Sequence, residues 1–199
     1  MFKNNTKATM IAMILVCLAP IIASYSAYYI FKPTKKVNYG ILINPQRTAP
    51  SLTMEYSNLN TIKNIQELKG KWILLINNTS DCDENCVKKL YTIRQLRLSQ
   101  GRQANRIVPL LIINDNNPMS PTLIKSYNDY LANVKFAYIS DKDIPALNKW
   151  LSIKDNEKIS NNIYLIDPNQ NLMMYYLPTH EPKGIIRDLS KLLKWSRIG

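Results

Sequence analysis

The sequence predicts an α/β fold, a three-layer sandwich of a sheet between two helical faces, preceded by one N-terminal transmembrane helix. Three observations carry this. The run from Ala8 to Phe31 contains no charged residue. Beyond it, apolar stretches of strand length alternate with segments of helix length. A hairpin and an amphipathic helix then close the chain.

A hydrocarbon core about 30 Å thick needs roughly 20 helical residues. The run ATMIAMILVCLAPIIASYSAYYIF supplies them. Pro20 interrupts the run, which a transmembrane helix tolerates. Tyr25, Tyr28 and Tyr29 cluster at its outer end, as interfacial anchors do, and Lys32, Lys35 and Lys36 stop it. The competing reading is a cleaved signal peptide, with Ala23, Ser24, Ser26 and Ala27 around the cut. The apolar stretch is longer than an ordinary h-region, which favours an uncleaved anchor. Lysines flank both ends, Lys3 and Lys7 on one side, so the positive-inside rule does not decide orientation. The cysteine chemistry below favours an exported globular domain on a single-pass anchor. The expected organisation is a cytoplasmic tail over 1–7, an anchor over 8–31, a linker and irregular approach over 32–60, and one domain over 61–199.

Within the approach, Pro33, Pro45 and Pro50 break the pattern and Ile41–Ile43 reads as a short strand. WILLI, Trp72 to Ile76, is an unbroken apolar strand bounded by Gly70 and by NNTSD. A helix is expected from Asp83 to Gln100, ended by Gly101. Ile107–Ile113 is the second buried strand, Thr122–Val134 a helix, Phe136–Ile139 the third strand and Ile144–Leu151 a short helix. Ile163–Ile166 and Leu172–Leu177 bracket the turn DPNQN as a hairpin. The last helix, Pro182 to Ser196, sets Ile185, Ile186, Leu189, Leu192 and Leu193 on one face. Arg187, Asp188, Lys191 and Lys194 are expected to point away. Its simplest role is to cover the sheet, although its basic outer face also suits a membrane surface. Unbroken apolar strands imply a sheet covered on both sides, and a thioredoxin-like three-layer sandwich satisfies this order of elements.

With 46% apolar residues, the 199-residue chain has enough for a packed core, which excludes a disordered protein. A net charge of +12 favours anionic surfaces. No RNA- or DNA-reading motif accompanies it, so nucleic acid is not an expected partner.

Of three cysteines, Cys17 lies in the anchor, leaving Cys82 and Cys86 as the aqueous pair. They follow the first buried strand and begin a helix, where backbone N–H groups and the helix dipole favour thiolate. Their spacing is about one turn, so they can close a disulfide or share one soft metal ion. Asp81, Asp83 and Glu84 oppose the dipole by raising thiol pKa and would welcome a cation. Asp81, Asp83 and Asn85 mimic the opening of an EF-hand, but Cys86 and Thr92 occupy the positions where glycine and glutamate are required. A structural zinc site needs four ligands, more than these residues offer. The bland alternative, two idle core thiols, conflicts with a loop as polar as NNTSDCDEN.

Arg94 and Arg97 fall inside the apolar arc of the following helix, either with stems laid along the core or paired to a buried carboxylate. His180, the only histidine, lies in a Pro-Thr-His-Glu-Pro turn and reads first as a surface residue. In a thioredoxin-like fold that loop can approach the cysteines, which makes His180 a third metal-ligand candidate. Met119, Met173 and Met174 are alternative soft donors, or core residues.

GKWILLINNTSDCDENC resembles the Sco/SenC family of cytochrome oxidase assembly proteins, marked by a Gly-Lys strand leading to Cys-x-x-x-Cys. Tyr164-Leu165-Ile166-Asp167-Pro168 and its hairpin resemble the segment after that family's metal-binding histidine. DCDENCVKKLYTIRQLRLSQGR and the tail ending LLKWSRIG are similar to small membrane-anchored Sco-related proteins of proteobacteria. The resemblance, over residues 38 to 199, implies handling of copper(I), or thiol redox of the oxidase copper site, by Cys82 and Cys86. It implies an oxidase subunit or another assembly factor as partner, and a chaperone more than a turnover enzyme. The family's histidine does not carry over, since Ser160, Asn161 and Asn162 stand there; nor does its proline pattern, since Asp83 and Val87 follow the cysteines. The residues also allow a general periplasmic thiol–disulfide oxidoreductase, or a non-catalytic thioredoxin-like binding module.

Overall fold

The structure is a computed structural model that describes residues 6–30, 38–55, 64–115, 117–131, 133–153, 159, 162–196 and 198. Lys3, Phe31, Lys32, Pro33, Lys35, Lys36, Ser160, Asn161 and the end of the expected linker lie outside those residues. The chain divides into two compact units, residues 1–37 and 38–199. In the first, helix α1 spans Thr6–Ile30 with Pro20 inside it. It is long and apolar enough to cross a membrane, as a signal sequence also is.

In the second unit the described strands form one seven-stranded sheet. They are β1 (Ile41–Thr48), β2 (Met54–Glu55), β3 (Trp72–Asn78), β4 (Ile107–Ile113), β5 (Lys135–Ile139), β6 (Ile163–Ile166) and β7 (Asn171–Tyr176), in the order β1-β7-β6-β3-β4-β5-β2. The centre, β3 with β4 and β4 with β5, is parallel. The hairpin β6–β7 joins antiparallel to β3, with Leu75 opposite Tyr164. Parallel neighbours need crossovers. Helix α2 (Glu84–Leu98) supplies the first and α3 (Pro121–Ser126) begins the second, while α4 (Ile144–Leu151) and α5 (Pro182–Trp195) complete the set.

Strand alternation divides the core in two. Trp72, Leu74 and Ile76 of β3 pack with Leu90 and Ile93 of α2 and Ile185 and Leu189 of α5. Ile73 and Leu75 pack with Leu147, Trp150 and Leu151 of α4 on the other face. Cover on both sides is why β3, β4 and β6 read as unbroken apolar runs. The expected three-layer thioredoxin-like sandwich, preceded by one apolar helix, is the observed fold.

Three local readings need correction. The strand expected at Ile41–Ile43 continues to Thr48, with the register against β7 shifting between Leu42 and Arg47. Pro45 lies in that irregular stretch, where an edge strand needs no N–H from it. The helix expected over Thr122–Val134 is α only to Ser126, then widens into a π-turn over Tyr127–Leu131. Asp188, expected to face solvent, is 3% exposed on the inner face of α5. Its carboxylate accepts N–H bonds from Tyr39 and Gly40 at 2.8 Å, compensating its burial where the chain enters the domain.

Candidate functional site

The site is built where β3 gives way to α2. Asn78 ends the strand, Thr79–Asp81 turn, and Cys82 adopts φ 27°, in the left-handed region that side chains with a Cβ disfavour. Asp83 then caps α2, its Oδ1 accepting the Cys86 N–H at 2.8 Å. The turn is held from the neighbouring strand: Asp115, just past β4, accepts both the Ser80 N–H at 2.8 Å and the Ser80 hydroxyl at 2.9 Å. The Ser80 carbonyl accepts the Ser120 N–H at 3.0 Å.

Within this frame Cys82 and Cys86 form a disulfide, with S–S 2.01 Å and Cα atoms 5.1 Å apart. The pair is more buried than the polarity of the loop suggested, at 1% and 0% exposure. Asp81, Asp83, Glu84 and Asn85 face outward while the two cysteines face the core, joining the cluster of Leu90, Ile76 and Met119. A helical first turn separates the two kinds of residue, so composition averaged over the loop misjudges both. One of the backbone N–H groups at the head of α2, that of Cys86, is occupied by the Asp83 cap.

Arg97 donates from Nε to the Ile107 carbonyl at 3.0 Å, and Arg94 Nε is buried without a partner; neither meets a carboxylate at Nε. Met119 and Met174 are buried in the disulfide's cluster, and Met174 Sδ accepts the Tyr176 hydroxyl at 3.1 Å. Met173 packs against the same cluster. All three behave as core residues.

His180 lies in the turn before α5, its ring 4.7 Å from that of Tyr39. Its Nδ1 accepts the Leu177 N–H at 3.3 Å, so a neutral ring carries its proton on Nε2. Among the described residues no group of three His, Cys, Asp or Glu side chains is placed to hold a metal. In this oxidised form the sulfurs of Cys82 and Cys86 are bonded to each other, so either could take copper(I) only after the disulfide is reduced.

His180 instead lines a cavity of about 450 Å³ with Asn85, Lys88 and Lys89 of α2. Burial lowers the Lys89 ammonium from the usual lysine value, and the nearby Asp83 opposes that shift. Sequence reasoning missed both Asp115 and this cavity. For Asp115 a signal existed, since sites in open α/β sheets gather beyond the carboxyl ends of parallel strands. For the cavity the approach of the His180 loop to the cysteine end of α2 was expected from the fold, but which α2 side chains it would meet was not legible, because the two segments are far apart in sequence.

A Cys-x-x-x-Cys disulfide at the head of α2, on a sheet with these crossovers and with one long apolar helix before it in the chain, defines a thioredoxin-like protein. The chain belongs to the transmembrane-like, thioredoxin-like family, whose C-terminal-domain model matches residues 72–196. No curated protein matches it by sequence. Among solved structures it is similar to yeast Sco1 with copper bound, at TM-score 0.56 and 16% identity over 81% of this chain and 96% of that one. It is also similar to BsSco, a member of the Sco family of cytochrome c oxidase assembly proteins, at 0.54 and 15% over 81% and 100%. The thioredoxin domain of a thiol–disulfide oxidoreductase from Bacteroides vulgatus follows at 0.52 and 13% over 74% and 96%. Identities this low speak for the fold.

Proposed function

We propose that this chain is a membrane-tethered, Sco-like factor for assembly of a respiratory cytochrome oxidase, acting by thiol–disulfide exchange on the thiols of the oxidase copper site. The carrying observation is the Cys82–Cys86 disulfide at the start of α2. Likeness to Sco structures supports the choice of partner, and the N-terminal helix supports a periplasmic domain on an inner-membrane anchor.

In the forward direction a partner thiolate attacks one sulfur of the pair. The S–S bond breaks, and its electron pair leaves on the other sulfur, which takes a proton. The partner's second thiolate then attacks the partner sulfur of the mixed disulfide, which forms the partner's own disulfide and releases the bonded cysteine as a thiolate that takes a proton. The partner's dithiol is oxidised and Cys82 and Cys86 are reduced by the same two electrons; the reverse direction keeps the partner's thiols reduced. At 1% and 0% exposure, the sulfurs become reachable only when the Thr79–Asp83 turn opens, and the Asp115 contacts to Ser80 resist that. Slow exchange follows. Copper(I) enters this reading as the partner's cargo.

Replacing Cys82 or Cys86 with serine in cells should reduce oxidase activity while the domain remains folded; unchanged activity in both variants would overturn the proposal. A general oxidoreductase, the second reading supported by the same disulfide, would also reduce or oxidise unrelated protein substrates. Inertness towards them separates the two.

A further inference from the structure

We infer that the cavity beside α2 docks an acidic peptide segment of the partner that exchanges with Cys82 and Cys86; the inference rests on that exchange. Lys88 and Lys89 from α2 and His180 from the turn before α5 line it, with Leu177 and Ile163 supplying apolar wall. Its volume of about 450 Å³ exceeds what one carboxylate fills and falls within the range of about 300–1,000 Å³ typical of ligand pockets. Two or three side chains fit, and the mixture of cations with apolar wall suits a peptide in which acidic and apolar residues alternate.

The position is as informative as the lining. Asn85 lines the cavity and lies between the two cysteines in the chain. Ile163 belongs to the same buried cluster as Cys82 and Cys86, so the cavity opens on the disulfide's face of the sheet. A segment held there lies beside the turn that must open.

Electrostatics select the charge. Lys89 is half-buried, and burial disfavours its charged form while Asp83 favours it; an arriving carboxylate acts in the same sense as Asp83 and adds a charge-assisted hydrogen bond. The Nε2–H of His180, fixed by the Leu177 contact, is a second donor.

The test uses the full chain in zwitterionic nanodiscs and a fluorescein-labelled, cysteine-free hexapeptide of alternating Glu and Leu, read by anisotropy at low ionic strength. Saturable binding is expected, weakened about tenfold or more by Lys88→Gln with Lys89→Gln. The pair Lys125→Gln with Lys142→Gln, exposed on other elements, removes equal charge and should leave affinity within about twofold. Equal losses in the two pairs would reduce the effect to net charge and overturn the proposal. So would equal binding of a Gln/Leu peptide, or displacement by acetate or phosphate at matched anion concentration, which would mark a free-anion site. Circular dichroism checks the fold, and the exposed Lys88→Glu alone supplies the same readout if the double variant is unstable. Because the peptide lacks cysteine, absence of binding removes the dock, whereas binding without disulfide exchange in the redox assay removes the exchange.

Discussion

At the scale of single residues, the disulfide and the Asp83 cap act on the same few bonds. Closing a five-residue loop removes about 2 kcal/mol of chain entropy from the unfolded state. Part of that gain offsets Cys82 at φ 27°, since left-handed backbone costs a residue with a Cβ on the order of 1–2 kcal/mol. The double variant Cys82→Ala/Cys86→Ala, which puts no new hydroxyl into the core, should therefore lose about 2 kcal/mol in urea unfolding, and stay folded. Asp83→Ala leaves the Cys86 N–H without its acceptor and should cost about 1 kcal/mol by the same measurement, whereas Asp83→Asn should retain most of the stability. The closeness of the two cysteines in the chain was legible, but Cys82 lies outside α2 at φ 27°, so the turn before the Asp83 cap and not helical periodicity brings the sulfurs together. Their burial was not legible, because it depends on which side of α2 meets the sheet.

At the scale of elements, close fits and pinned loops matter more than propensity. A Cβ on Gly184, in the first turn of α5, would collide with the ring of Tyr39. That ring cannot easily retreat, since its hydroxyl accepts the Glu181 N–H at 2.9 Å and its face meets His180. Alanine would gain about 1 kcal/mol of helix propensity and lose about 1–3 kcal/mol to overpacking. Gly184→Ala should therefore lower the thermal midpoint, reversing the usual sign for this exchange in a helix. The loop before β2 is pinned to the start of α4, where Asp143 Oδ2 accepts the Thr53 N–H at 2.7 Å. That bond holds the Asp143 carboxyl below its ordinary value of 3.8. A depressed folded pKa means stability present above the unfolded value and lost as pH falls through the folded one. Scanning from neutral to strongly acidic pH, wild type should lose Thr53 amide protection more steeply than Asp143→Asn, with the divergence opening below about pH 4.

At the scale of the whole molecule, the unit from Asn38 to Gly199 contains both hydrophobic clusters and the disulfide, and none of its core residues lies in α1. A chain beginning at Asn38 should remain soluble without detergent and unfold in one transition, while the full chain sediments with membranes. Analytical ultracentrifugation and differential scanning calorimetry check the two halves of that expectation. Aggregation of the truncated chain would show that the domain needs its N-terminal segment to fold.

The order of elements from β3 to α5, the apolar N-terminal run and the Cys82–Cys86 spacing are determined by the sequence by itself, whereas β2 fell within the expected linker. Each is a local pattern: an element buried on two faces must be apolar throughout, and four residues of chain keep two cysteines within bridging reach. Only the tertiary structure brings Asp115 to Ser80, Asp188 to Tyr39 and His180 towards Lys88 and Lys89. Periodicity reports which face of an element is hidden, but the identity of what hides it depends on strand order and crossover geometry. For that reason Asp188 read as a surface charge until the incoming backbone N–H groups were placed against it.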